Sequence, residues 1–343
     1  MRILVIGGNG FIGSFLVPML CSQGHQVAVL SRSGSGVGPG VRSITGDRNH
    51  LEAASGPMAE FGPEAVIDLI LSSAAQAEAA VRFFRRRAQR YIVTSSMDVY
   101  RAVAVLQRTE PGPLQPIPLT EDSELRCKPL YEQEHLRAMR EIFTWTTDDY
   151  DKVPAERIVL GDAELLATVL RLPAVYGPGD RLHRLWPYLK RMDDQRECII
   201  VPAALAGWRW SRGFVENVAH GIGLATVQER ASGRVYNIAE PEALSELEWA
   251  QAIARQAGWT GRFLITPPEG TPAHLQPAGE TRQDWVASTA RIRSELGYQE
   301  PVTVEEGLRR TIDWERRHPP LAPLTRFDYA AEDAAAAGKA PGA

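Results

Sequence analysis

Apolar and polar positions along the chain fall into two alternating periods. Short, largely β-branched apolar runs at residues 3–6, 27–30, 41–45, 65–71, 91–94, 168–172 and 235–238 have the length of buried strands. Between them lie stretches whose apolar positions recur at the helical period, at 11–20, 74–87, 132–145, 149–167 and 215–227. Strands alternating with helices predict an α/β fold, with right-handed crossovers and a doubly wound parallel sheet. After residue 175 the alternation loosens: a helix at 182–192, a strand at 198–202, a strand at 263–265, a short helix from Thr289 to Gly297 and an amphipathic helix at 304–317. Ser245 with Glu248 three residues later predicts a capping box for a helix ending at Gly258. Residues 101–130 carry Pro111, Pro113, Pro116, Pro118 and Pro129 and are expected to be an irregular lid or binding loop. The expected division is residues 1–175, with the strand near 234–239, as one domain and mainly 176–318 as a smaller one. Ala, Gly, Asp and Glu dominate the end of the chain, so 319–343 is expected to be a disordered tail.

The first strand runs straight into Gly7, Gly8, Gly10 and Gly13, and then into a helix. Strand, glycine turn and helix in that order form the dinucleotide-binding pattern. Gly7 permits the tight turn, Gly10 lets the backbone approach a pyrophosphate, and Gly13 lets helix and strand pack closely. The helix start at Phe11 and Ile12 offers N–H groups and a positive dipole end to the phosphates. The second strand ends in Ser31-Arg32-Ser33, with no carboxylate to take the adenosine ribose 2′-hydroxyl. Arg32 suits a 2′-phosphate, which favours NADP(H) over NAD(H). Asp47 and Arg48 follow the third strand, at the sheet edge where adenine lies in such folds. Leu71 and Ser72, at the end of the fourth strand, are expected to face the cofactor.

Composition narrows the function by exclusion. A net charge of -4 and a pI near 6.0 give no electrostatic footprint for nucleic acid or an anionic membrane. No apolar run reaches transmembrane length, and the chain begins with a strand rather than a signal peptide. Cys21, Cys127 and Cys198 are far apart, which suits a reducing cytoplasm, and neither they nor the scattered histidines have metal-ligand spacing. Arg209 and Arg212 alternate with Trp208 and Trp210, a pairing suited to a phosphorylated or nucleotide-linked small molecule.

The Gly7/Gly10/Gly13 spacing, Ser95-Ser96-Met97-Asp98-Val99-Tyr100, Leu172-Pro173-Ala174-Val175-Tyr176-Gly177-Pro178-Gly179 and Arg212-Gly213-Phe214 occur in an order that resembles the extended short-chain dehydrogenase/reductases. These include the NAD(P)-dependent sugar epimerases and dehydratases. The resemblance spans residue 1 to about 318. It implies a Rossmann-like sheet, a smaller C-terminal substrate-binding domain, a homodimer, and chemistry at a hydroxyl or keto carbon of a sugar-like substrate. It also implies that Pro173 and Val175 adjoin the cofactor and that Tyr176 lines the cleft. Ser96 matches the family's Ser/Thr that bonds the substrate oxygen. Asp98 falls where the dehydratases carry an acidic base, although Met97 replaces the accompanying acid.

The chain departs from the family at the tyrosine. Lys152, with Glu156 four residues on, matches the family lysine that holds the nicotinamide ribose, yet the residue four before it is Asp148. Tyr150 lies only two before it, about 200° around a helix. It can serve only if residues 148–151 precede the helix, with Asp148 or Asp149 as its cap. Three readings stay open. Tyr150 is displaced but functional; Asp98 or Asp148 supplies the acid/base; or proton transfer is lost and an NADP(H)-binding regulator or redox sensor remains. An RNA-associated relative of the same fold is disfavoured by the acidic pI.

Overall fold

The structure, a computed structural model, describes residues 1–34, 38–321 and 325–338. In chain order its strands are β1 (Arg2–Ile6), β2 (Gln26–Ser31), β3 (Arg42–Thr45), β4 (Ala65–Asp68), β5 (Arg90–Ser96), β6 (Leu166–Leu172), β7 (Ala174–Tyr176), β8 (Cys198–Pro202), β9 (Arg212–Phe214), β10 (Val235–Asn237) and β11 (Arg262–Thr266). Seven of them form one parallel sheet in the order β10-β6-β5-β4-β1-β2-β3. The chain runs outward from β1 to β3 and then returns to place β4 on the other side of β1, with Leu4 level with both Ala28 and Val66. That reversal opens a crevice at the carboxyl ends of β1 and β4, where ligands bind in doubly wound sheets. Two small parallel pairs, β7 with β9 and β8 with β11, lie outside the main sheet.

The alternation of β1 sets the layers. Ile3 and Val5 point into one core with Leu16, Leu20, Val218 and Ile222, from the helices Gly13–Ser22 and Val215–Val227. Leu4 and Ile6 point into the other, with Ala77, Phe84, Ala155 and Val159 from helices Ala74–Phe84 and Lys152–Leu160. Ile3 to Ile6 are all buried, so the strand after the exposed Arg2 reads as an unbroken apolar run.

Several expected boundaries move for local reasons. β4 stops at Asp68, whose Oδ1 accepts from the Ile70 N–H at 3.1 Å and turns the chain out of the sheet. The helix expected to reach 87 ends at Phe84, because Arg86 adopts a left-handed φ of 62°. The helix expected over 149–167 spans only Lys152–Leu160. Its start is capped by Asp151, not by Asp148 or Asp149, and beyond it Asp162 accepts from the Glu164 and Leu165 N–H groups. Within the stretch expected to be irregular, Arg101–Leu106 is a helix. The Ser245/Glu248 capping box is present.

The expectation of a disordered tail is corrected for residues 325–338; residues 322–324 and 339–343 of that stretch lie outside the described residues. Tyr329–Ala337 is a helix capped by Asp328. Its Glu332 is 2 % exposed and bonds Arg191 at 2.6 and 2.9 Å and His274 at 2.9 Å. Composition alone missed this, because the anchoring contacts, above all the buried Glu332 carboxylate on Arg191 and His274, lie far away in sequence. No described helix is long and apolar enough to cross a membrane.

Candidate active site

A cleft of about 600 Å3 lies at the β1/β4 reversal. Gly7, Gly10, Phe11, Ile12, Gly13, Arg32, Asp47, Arg48, Pro173 and Val175 line it, so ten of the expected cofactor positions converge there. The turn has to be glycine. Gly7 has φ +79°, and a Cβ on Gly13 would stand 2.3 Å from the Gly8 carbonyl oxygen. These residues fit a bound dinucleotide on their own chemistry. The cleft has the size of a cofactor site, and Arg48 in its lining carries two buried guanidinium nitrogens, Nε and Nη1, with no hydrogen-bond partner. The rest of Arg48 is engaged: Nη2 sits 2.9 Å from Asp68 Oδ2 and 3.1 Å from the Gln76 carbonyl. Asp47 caps the turn after β3 by accepting from the Asn49 N–H.

Sequence reasoning missed the opposite wall. After β7 the chain crosses the mouth of the cleft, bringing Gly179 against Phe11 and adding Asp180, Arg181 and Arg184 to the lining. Arg184 is held by Asp180 at 2.6 Å. A third wall is the strap Phe143-Thr144-Trp145, which follows helix Gln133–Ile142. Thr144 Oγ1 accepts from Arg32 Nη2 at 2.9 Å, tying the strap to the end of β2.

Leu71, Ser72 and Lys152, expected at the cofactor, lie behind that strap rather than in the cleft lining. Lys152 is 5 % exposed and donates to the Leu71 carbonyl at 2.6 Å and the Thr94 carbonyl at 3.1 Å. Its ammonium is 5.5 Å from the centre of the Trp145 ring and 5.9 Å from that of Tyr150. Burial lowers the ammonium pKa to about 8. Ser72 bonds Gln76 Oε1 and Thr147.

Because the helix begins only at Lys152, Tyr150 is free of helical spacing. Its hydroxyl reaches Asp98 Oδ2 at 3.4 Å, although 52 residues separate the two. Asp98 sits in the turn Met97–Val99, capped by Ser96, whose Oγ accepts the Asp98 N–H at 3.1 Å. Asp98 is 3 % exposed and Tyr150 7 %. Burial raises both pKa values, and the neighbouring Asp98 carboxyl raises the phenol further. Arg126, 2 % exposed, holds the cluster from behind with bonds to the Asp98 carbonyl at 3.0 Å and to Asp151 at 2.8 Å. Asp148, the residue at the family's tyrosine position, is exposed and bonds Arg140. It does not join the cluster.

The expected substrate residues need correction. Tyr176 is fully buried, packs on Trp249 and donates to Glu240 at 2.7 Å. Arg212 is buried on Glu246 Oε2 at 2.5 Å and on the carbonyls of Trp210 and Leu244. The buried Arg212 charge thus has its fixed partner within the protein, and the Tyr176 hydroxyl its acceptor, and neither lines the cleft. Arg209 is exposed and lies outside the cleft lining, its side chain on the Ala243 carbonyl. Among the described residues no group of three or more His, Cys, Asp or Glu side chains is placed to hold a metal ion.

Residues 3–239 match the model of the NAD-dependent epimerase/dehydratase family. The chain is 26 % identical to 2′-dehydrokanamycin reductase of Streptomyces kanamyceticus, over 85 % of this chain and 75 % of that protein. It is 25 % identical to 3 beta-hydroxysteroid dehydrogenase/Delta 5→4-isomerase of Mycobacterium tuberculosis, over 90 % and 88 % of the two. Its fold is similar to that of Thermus thermophilus UDP-glucose 4-epimerase in complex with NAD, with a TM-score of 0.64, 21 % identity, and coverage of 93 % and 100 %. The glycine turn, the reversal cleft and the match across most of the chain make this protein a member of the NAD-dependent epimerase/dehydratase family, an enzyme of the extended short-chain dehydrogenase/reductase type.

Proposed function

We propose that this enzyme is an NADP(H)-preferring oxidoreductase interconverting a hydroxyl and a keto carbon of a small sugar-like or nucleotide-linked molecule. The observation that carries the reading is the buried Tyr150–Asp98 contact beside Lys152. It supplies a proton-carrying phenol although the usual tyrosine position holds Asp148. The bound nicotinamide would supply or accept the electron pair. Tyr150 gives or takes the hydroxyl proton, Ser96 bonds the substrate oxygen, and Lys152 holds the phenol's surroundings positive. Burial raises the pKa of both the phenol and the Asp98 carboxyl, which suits a pair that hands a proton to the substrate oxygen in reduction. Similarity to a 2′-dehydrokanamycin reductase and a 3 beta-hydroxysteroid dehydrogenase supports oxidoreductase chemistry without choosing a direction.

Support for NADP(H) is Arg32 at the end of β2, on the rim of the cleft and without a neighbouring acid at residues 31–33. Three unpaired cysteines agree with a cytoplasmic setting. Trp145 lines the cleft and lies against Lys152, which does not, so the proposed catalysis includes a movement of the strap that exposes Lys152. The alternative, an NADP(H)-binding regulator, gains from the same strap if it never opens. Fluorescence titration tests the cofactor part: NADPH binds more tightly than NADH, and Arg32→Asp reverses the order. Equal affinities in the wild type would remove the arginine argument.

A further inference from the structure

Two phenols, not one, approach Asp98 Oδ2. Tyr150 arrives from the turn before helix Lys152–Leu160 at 3.4 Å, and Tyr131 arrives from the end of the proline-rich stretch at 3.5 Å. Their ring centres are 5.8 Å apart. The other carboxyl oxygen, Oδ1, is buried and has no partner. A fully charged carboxylate this deep would use both oxygens, whereas long contacts on one oxygen and none on the other suit a carboxyl that gains and loses a proton.

The three groups differ in their access to water. Asp98 and Tyr150 are buried, whereas Tyr131 is half-buried. On its outer side the Tyr131 ring rests on the exposed imidazole of His135, with ring centres 4.9 Å apart. Exchangeable groups therefore run from Tyr131, the least buried of the three, through Asp98 to Tyr150.

Building on the proposed role of Tyr150, we infer that Tyr131 is a positioning residue that passes protons between solvent and Asp98, so that Asp98 can recharge Tyr150 after each turnover. In reduction, the Tyr150 O–H bond breaks as the O–H bond of the product alcohol forms, the electron pair coming from the reduced nicotinamide. The Asp98 proton then moves to Tyr150 Oη while the Tyr131 proton moves to Asp98 Oδ2 and Tyr131 takes one from water, a concerted shift that leaves no free phenolate. Oxidation runs each transfer backwards. The charged neighbours that set the balance are Arg126 and Lys152, which favour the charged carboxylate, and Glu156, which opposes it.

Tyr131→Phe tests this with two independent readouts. In the cofactor-free protein, infrared spectroscopy follows the carbonyl stretch of protonated Asp98 as pH falls, with Asp98→Asn identifying the band. Losing a hydroxyl that bonds the charged form moves the protonation midpoint of Asp98 to higher pH in Tyr131→Phe. In turnover, kcat falls roughly tenfold or more, KM is unchanged, and added imidazole restores much of the loss by supplying protons directly. An unmoved Asp98 midpoint, or a kcat loss that imidazole does not relieve, overturns the inference. Failure of the underlying reading is separable: it would show as normal turnover in Tyr150→Phe, whatever Tyr131→Phe does.

Discussion

Lys152 Nζ donates to the Leu71 carbonyl at 2.6 Å and to that of Thr94 at 3.1 Å, so the family lysine bridges the ends of β4 and β5 beneath the Trp145 ring. This arrangement separates two halves of the site. The dinucleotide cleft is open on one side of the strap 143–145, and the proton-transfer cluster of Tyr150, Asp98 and Tyr131 lies on the other. In the proposed reaction the two halves are joined by movement of that strap.

The Arg32–Thr144 bond holds the strap in its closed position. A ligand phosphate at Arg32 competes with Thr144 for the same guanidinium. Thr144→Val removes a hydrogen bond of about 0.5–1.5 kcal/mol, so the Kd for NADPH falls roughly two- to tenfold. A double-mutant cycle checks the route: in an Arg32→Ala background the Thr144→Val effect disappears. An effect that persists there would assign the change to something other than this bond.

Glu240 makes stability depend on pH. It is 7 % exposed, accepts from the Tyr176 hydroxyl at 2.7 Å, and burial pushes its pKa up to about 7. Because the folded pKa lies above the unfolded one, the folded state holds an extra proton between them. Stability from this group is therefore fully present below about pH 4.5 and is lost as pH rises to about 7, a change on the order of 3 kcal/mol. Urea unfolding midpoints fall across that window in the wild type. In Glu240→Gln, which keeps an acceptor for Tyr176, the fall is smaller. Parallel curves for the two proteins would show that Glu240 stays charged.

Glu332 is the buried anchor of the C-terminal helix, beside the more exposed pairs Asp333–Arg196 and Tyr329–Asp194. Glu332→Ala strands the buried Arg191 guanidinium and leaves His274 without its partner, at a cost of about 3–5 kcal/mol. Thermal unfolding shows it as a lowered Tm, and limited proteolysis releases the segment after residue 325. A change under about 0.5 kcal/mol would mean that the helix is not docked in solution.

The sequence made the sheet and the cofactor turn legible because both are local. The apolar run at 3–6 and the spacing of Gly7, Gly10 and Gly13 need no distant partner to be understood. The proton-transfer cluster was legible only in part. Tyr150 and Asp98 were named as candidates, but what joins them is Asp151 capping the helix so late that Tyr150 lies outside it. Arg126 and Tyr131 gave no signal, since their meaning depends on residues 25 and 33 positions away. Arg212 misled for a related reason: a basic residue among tryptophans looks like a ligand contact until Glu246, 34 residues on, is seen to neutralise it. Arg181 and Arg184 could have been suspected as a basic pair just past Gly179, where the chain must cross the crevice.

The central claim is that a displaced phenol has taken over from the missing tyrosine. It is tested most directly by steady-state oxidation of NADPH against a panel of small keto compounds, comparing the wild type with Tyr150→Phe and Asp148→Asn. The account predicts that Tyr150→Phe lowers kcat by about a hundredfold or more while NADPH binding is unchanged, and that Asp148→Asn behaves as the wild type. Turnover in Tyr150→Phe close to that of the wild type, on a substrate the wild type reduces, would contradict it.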